Sequence, residues 1–152
     1  MKKYDKLTPE GTKDCFYEQC TARTQVKQTL GCLFESRGYN MIMTPGIEFF
    51  DVYDRESAGI PSEDMFRFTD RKGRLVVLRA DNTLPIARVA GTGLKASSVP
   101  MRLYYSQDVY CEHAALSGKL NEKPQCGIEL IGASGIRADL EVIMTSVDAL
   151  ES

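Results

Sequence analysis

Gln125, Gly127 and Glu129 fall on one face of an alternating run, with Cys126, Ile128 and Leu130 on the other. Side chains in a strand have period two, so an amide and a carboxylate share a face with a glycine between them. A glycine there removes bulk and leaves room for a group to lie between the two. A small polar ligand with an amino group would suit that arrangement. An outward, solvated sheet face would show the same pattern, and alternation alone does not separate the two.

The run belongs to a longer stretch, Pro100 to Gly132, around which the chain is organised. Two β-rich segments, Met101–Glu112 and Pro124–Ile131, flank a polar loop, His113–Lys123. The predicted elements before it begin with a Thr8–Thr12 turn signal. A helix over Asp14–Arg37 follows, with Phe16, Cys20, Val26, Leu30, Leu33 and Phe34 approximating one face. Gly38 can take the left-handed conformation that stops a helix. A short β-like segment, Tyr39–Thr44, ends at Pro45. An acidic, aromatic stretch, Glu48–Glu56, leads to a break at Gly59-Ile60-Pro61. A hairpin pairs Met65–Thr69 with Leu75–Arg79 across a polar turn. Asp81 or Asn82 can cap a short helix to about Val89. A last helix, about Ala138–Leu150, places Leu140, Ile143, Met144 and Val147 on one stripe.

Helices separated by antiparallel-looking strand runs point to an α+β fold, and 152 residues suit one domain with a sizeable core. The composition, 43% hydrophobic and 26% charged, excludes a disordered chain. A net charge of −2 and a pI of about 5.5 lack the basic excess of a nucleic-acid module. Five cysteines without a CxxC pair point to reduced thiols in the cytoplasm rather than a disulfide framework or a zinc site. One histidine, His113, cannot build a histidine metal cluster in one chain. No glycine-rich phosphate loop of the GxGxxG or GxxxxGK[ST] type occurs. No metal, cofactor, nucleic acid or membrane is expected.

Several phrases together resemble one family. Gly38–Glu48 resembles the first motif of class II aminoacyl-tRNA synthetases in its histidyl form. Leu78-Arg79-Ala80-Asp81-Asn82-Thr83 is similar to that family's LRPE-x-T segment. Arg102-Leu103-Tyr104-Tyr105 and Gln125–Gly132 resemble the strands on either side of the second motif loop, and Thr8–Asp14 is similar to a PEGTRD opening. The five phrases occur in the family's order and spacing. The resemblance implies an antiparallel class II sheet flanked by helices, ending before the third motif, and a dimer built partly on the first helix.

The family holds true histidyl-tRNA synthetases and a non-synthetase paralogue, the regulatory subunit of ATP phosphoribosyltransferase. Its second motif opens FRxE. Counting back from Glu129, the arginine position is Cys111 and the glutamate position His113; later loop arginines fall at Lys119 and Asn121. Amino-acid activation brings a carboxylate onto a phosphate, and arginine grips both with a planar, permanently charged fork. That stabilisation is worth several kcal/mol, on the order of one preorganised oxyanion donor or more. A neutral thiol offers neither charge nor fork. The resemblance therefore implies lost ATP activation.

The ligand pocket contrasts with this. The family's histidine-binding positions are Asp81, Thr83, Gln125 and Glu129, with Asp81 one methylene shorter than the family's glutamate. The expected function is a non-catalytic regulatory subunit in histidine biosynthesis. It would partner and activate the short catalytic subunit of ATP phosphoribosyltransferase, as a homodimer within a hetero-oligomer, with histidine as effector. The alternative is a divergent histidyl-tRNA synthetase core that activates histidine with ATP; a sensor of another amino acid is a third. Local alternatives stand beside these roles. Asp81 could only cap its helix. Glu129 could be a solvated edge carboxylate. Cys111 could be a reactive thiol or a small buried hydrophobe. His113 could be a general base or an exposed loop residue.

Overall fold

The computed structural model describes residues 4–54 and 59–152. Helix α1 covers Glu18–Ser36. It starts later than the expected Asp14, because Tyr17 has φ 44°, outside the helical region. Its end is the one the sequence indicates. Gly38, at φ 81°, donates its N–H to Glu35 O over 2.9 Å, and Tyr39 N–H reaches back to Phe34 O over 3.0 Å. This left-handed glycine closure satisfies the last carbonyls and turns the chain inward. Tyr39 is thereby buried beside Phe34 and Tyr104.

Among the described residues, six strands make two three-stranded sheets, accompanied by three α-helices. Strands β1 (Asn40–Met41), β5 (Met101–Tyr110) and β6 (Glu122–Ile131) form the first sheet in the order β1-β5-β6. Strands β2 (Ile47–Phe49), β3 (Arg67–Thr69) and β4 (Leu75–Leu78) form the second, in the order β2-β4-β3. The expected hairpin is β3–β4, entirely antiparallel. Its turn is held by Asp70, whose carboxylate accepts the Lys72 and Arg74 N–H groups at 2.8 and 3.0 Å. The Arg74 main-chain N–H, and after it the Arg74 guanidinium, hold that carboxyl below the usual aspartate range. The expected strand Tyr39–Thr44 shrinks to the two residues of β1, which pair in parallel with Leu103 and Tyr104. The acidic stretch after Glu48 becomes a single 3-10 turn, Phe50–Val52; residues 55–56 lie outside the described residues.

Arg79 joins the two sheets. Its side chain is buried, and the guanidinium donates to Thr44 O (2.8 Å), Pro45 O (3.1 Å) and Asp108 O (2.6 and 3.1 Å). Its own carbonyl accepts the Tyr110 N–H at 2.9 Å. Buried main-chain carbonyls at the end of a sheet need donors, and an arginine fork supplies several at once. Above this junction lies helix α2, Thr83–Gly91, which buries Pro85, Ile86 and Ala90. Ile86 packs with Leu103 and Tyr105 of β5.

Helix α3, Ile136–Glu151, forms as expected and turns its apolar stripe outward. Its stripe Leu140, Ile143, Met144 and Val147 is exposed, each more than 40% accessible, and so are Phe16 and Val26 at α1. The face of α3 turned to the rest of the chain is polar instead. Glu141 accepts two hydrogen bonds from the Arg102 guanidinium at 2.6 and 2.8 Å and one from Tyr39 at 3.2 Å. Asp148 pairs with Arg37, and Thr145 is fully buried. The apolar period of α3 marks one face of the helix, and it is not the face that packs on the rest of the fold. No helix among the described residues is long and apolar enough to cross a membrane.

Candidate functional site

The N-terminus of α2 brings the candidate residues together. Asp81 Oδ1 accepts the Leu84 N–H at 3.0 Å, so Asp81 caps the helix. Pro85 lies four residues on and has no N–H to give the Asp81 carbonyl. The Tyr53 hydroxyl takes that place, donating to Asp81 O at 2.8 Å. The helix start is therefore fixed on both sides, and Asn82 and Thr83 are set directly against β6.

The contacts are specific. Thr83 Oγ1 donates to Glu129 Oε1 over 2.8 Å. Asn82 Nδ2 donates to Gln125 Oε1 over 2.7 Å. The start of α2 thus meets Gln125 and Glu129, which share one face of β6. Asp81 is adjacent, with its carboxylate engaged as a cap. Glu129 is not a solvated edge carboxylate: burial, with a smaller contribution from the Asp81 charge, raises its carboxyl above the usual range against the Thr83 hydrogen bond. It is a half-buried acceptor without an ion-pair partner among the described residues.

Two residues of the site escaped sequence reasoning. Asn82 was considered only as a helix cap, yet it is fully buried and bonds to Gln125. Tyr105 reads from sequence as sheet packing, which it also provides. Its register partner across the ladder is Gly127, and the space the glycine leaves is filled by the Tyr105 phenol. The signal was available in the hairpin register, which depends on the loop length. Burial and then the Glu129 charge push the Tyr105 hydroxyl up to about 12, so it stays protonated near neutral pH.

The second motif loop is built differently from a phosphate cradle. Cys111 packs against the cluster of Tyr53, Met65, Val77 and Ala80 and directs its thiol at Ala80 O, 3.5 Å away. Burial raises the thiol above its ordinary value, with Lys123 opposing and Asp64 and Asp81 reinforcing. A protonated, half-buried thiol is a small hydrophobe, not a nucleophile. His113 donates its main-chain N–H to Asn121 Oδ1 at 3.0 Å, and its Nε2 lies 3.1 Å from Lys123 Nζ. Lys119 is exposed on the loop. Asn121 ties the loop to the N-terminal segment: its N–H donates to Gly11 O (2.7 Å), its Nδ2 to Glu10 O (3.2 Å). Glu10 Oε1 in turn accepts the Leu116 N–H at 2.9 Å. The loop and residues 10–12 line an open pocket of about 550 Å³ that contains no arginine.

The comparisons agree with this architecture. A family model described as histidyl-tRNA synthetase matches residues 11–152. The chain is 42% identical over 151 residues to the ATP phosphoribosyltransferase regulatory subunits of Bacillus mycoides (strain KBAB4) and Bacillus cereus (strain AH187). Those matches cover 99% of this chain and 36% of each relative. A crystal structure described as an ATP phosphoribosyltransferase regulatory subunit/histidyl-tRNA synthetase from Bacillus halodurans C superposes with TM-score 0.90 at 34% identity. It covers 99% of this chain and 38% of that one. Apo histidyl-tRNA synthetase of S. aureus superposes with TM-score 0.79 at 25% identity, over 95% of this chain and 34% of its own length. The chain therefore spans about a third of the length of the proteins it matches. With the α+β fold shared with class II synthetases and a model match over nearly every residue, the chain belongs to the histidyl-tRNA synthetase family.

Proposed function

We propose that the chain is part of a non-catalytic regulatory subunit of ATP phosphoribosyltransferase in histidine biosynthesis. It activates the short catalytic subunit and carries a histidine-responsive site. One contrast carries this reading. Thr83, Gln125 and Glu129 are assembled as a ligand face, while the position at which a synthetase holds its motif arginine is a half-buried, protonated Cys111. Without a fixed guanidinium there, the repulsion between a carboxylate and an incoming triphosphate has no counter-charge of the right shape. Binding is kept and activation is not. The names of the 42%-identical relatives support the same reading. The exposed apolar faces of α1 and α3 support assembly into a homodimer within a larger complex.

The full-length protein is added to a purified short-form ATP phosphoribosyltransferase, and turnover is measured with and without histidine. Stimulation that histidine suppresses is the expected result. Histidine-dependent exchange of pyrophosphate into ATP, with no stimulation, overturns it in favour of a divergent synthetase.

A further inference from the structure

We propose that Cys15 and Cys20 are a redox-active dithiol, which a low-molecular-weight disulfide oxidises to an intramolecular bridge across the start of α1. The proposal is independent of the histidine-binding reading above.

The chain doubles back on itself as it enters α1. Gln19 N–H donates to Phe16 O and Thr21 N–H to Tyr17 O, each over 3.0 Å. Tyr17 lies at the apex with φ 44° and ψ −109°, a conformation that few residues other than glycine adopt. This tight turn brings residue 20 onto residue 15: the Cys20 thiol donates to the Cys15 carbonyl oxygen over 3.2 Å. A residue's carbonyl carbon and Cβ hang from the same Cα, so the Cys20 sulfur stands beside the residue it must bridge. Both thiols are free, with Cys20 exposed and Cys15 half-buried.

Closing the bridge requires rotation of the two side chains and a small backbone adjustment to disulfide geometry. The fold leaves room for that adjustment. Helix α1 buries Phe34 near its far end, and its first three turns carry no buried residue. Phe16 and Tyr17 are exposed as well. The other thiols are worse placed. Cys32 lies twelve residues beyond Cys20 on the same helix, about 18 Å along its axis. Cys111 and Cys126 are half-buried, and burial raises both thiols above their ordinary range.

The reaction is thiol–disulfide exchange. The exposed Cys20, as thiolate, attacks one sulfur of the small disulfide; that S–S bond breaks and one small thiol leaves with a proton. Cys15, as thiolate, then attacks the Cys20 sulfur of the mixed disulfide and displaces the second small thiol. The two cysteines give up two electrons and two protons, the small disulfide takes both, and the protein gains one S–S bond. The bridge ties the start of α1 to the segment whose residues 10–12 are fastened to the loop through Asn121.

The test incubates the folded full-length protein with oxidised glutathione, alkylates the remaining thiols and digests with trypsin. Residues 14–23 form one tryptic peptide, between Lys13 and Arg23, that holds Cys15 and Cys20 and no other cysteine. Mass spectrometry is expected to show this peptide unalkylated and two hydrogens lighter than its reduced form, reversed by dithiothreitol. The bridge should appear at least about tenfold sooner than any modification of Cys111 or Cys126. Cys15→Ser is expected to stop at the mixed disulfide, with one glutathione kept on Cys20. Cys20→Ser is expected to slow capture of glutathione at residue 15 by about tenfold or more. Neither substitution touches a core side chain. The proposal is overturned by a glutathione adduct that persists on Cys20 of the unmodified protein, by a bridge to Cys32 or Cys126 instead, by a bridge that forms only in urea, or by the absence of any oxidation of the peptide.

Discussion

Tyr105 faces Gly127 directly across the β5–β6 ladder, and its phenol oxygen stands 2.6 Å from the point a Cβ on that glycine would occupy. The ring carbons Cζ and Cε1 follow at 2.8 and 3.2 Å. A buried ring cannot yield as a flexible chain end can, so Gly127→Ala must push the phenol aside. Overpacking of this kind costs about 1–3 kcal/mol. Urea titration of Gly127→Ala is expected to show a loss in that range, with weaker histidine binding because the displaced ring enters the ligand face. In a Tyr105→Leu background the alanine should add little, since the two residues share one space. An unchanged midpoint for the single variant would refute the close approach.

Glu129 gives the site a pH dependence with two opposite signs. Its folded carboxyl is raised above 4.5, chiefly by burial. For a raised acid, the contribution to folding stability is fully present below the unfolded value and is lost as pH rises through the folded value. The free protein therefore draws no acid lability from this residue. Binding runs the other way, because an N–H ligand requires the ionised carboxylate. Histidine affinity is expected to fall as pH is lowered through Glu129's raised value, before an ordinary glutamate would protonate. Thr83→Val removes the hydrogen bond that opposes the shift and should move the loss to higher pH. Calorimetry across pH checks both; Glu129→Gln should bind weakly with a flat profile.

Local chemistry made much of the fold legible. The stop at Gly38, the Asp70 turn of the hairpin and the cap at Asp81 each depend on neighbours a few residues away. The alternation that set Gln125 and Glu129 on one face is equally local. What stayed hidden depends on distant partners. Nothing near Asn82 in sequence shows that it will be buried against Gln125, forty-three residues on. Nothing in the apolar stripe of α3 shows that Arg102 and Arg37 will draw its polar face inward and leave Leu140 and Ile143 exposed. Tyr17 is a further case: a helix-compatible sequence breaks there, and the pattern of apolar residues gave no sign of it.

Arg79 should be the most expensive single side chain at the sheet junction. It is buried, and its fork serves three main-chain carbonyls that have few other donors. Thr44 O also accepts from Gln107 Nε2 at 2.8 Å, whereas no other side-chain donor reaches Asp108 O among the described residues. Arg79→Met strands carbonyls at the end of β5 and is expected to cost about 3 kcal/mol or more. Arg79→Lys keeps the charge but reaches fewer acceptors and should fall between. Equilibrium unfolding orders the three proteins; a lysine variant as stable as the original would show that the fork is not what the junction needs.

Asn121, a position at which the family resemblance implies an ATP-binding arginine, has a side chain with a different set of contacts. Oδ1 accepts the His113 N–H while Nδ2 donates to Glu10 O, so one short amide closes the loop and fastens it to residues 10–12. Gly11 is part of the same clasp. At φ 71° it favours glycine, and a Cβ there would lie 2.5 Å from Asn121 Cγ. Asn121→Ala removes both side-chain bonds but leaves the main-chain bonds of residue 121 to Cys111 and Gly11. The expected outcome is faster amide exchange over residues 113–120 and at residues 10–12 together, with exchange in β5 and β6 unchanged. Gly11→Ala should give the same map through the opposite side of the contact. Asn121→Arg is the informative third variant. If the loop is built for clasping rather than for phosphate, arginine opens it as alanine does and confers no ATP binding, because position 111 still holds a thiol packed against Tyr53 and Val77. ATP binding by Asn121→Arg alone would mean that the phosphate cradle had been lost at a single position.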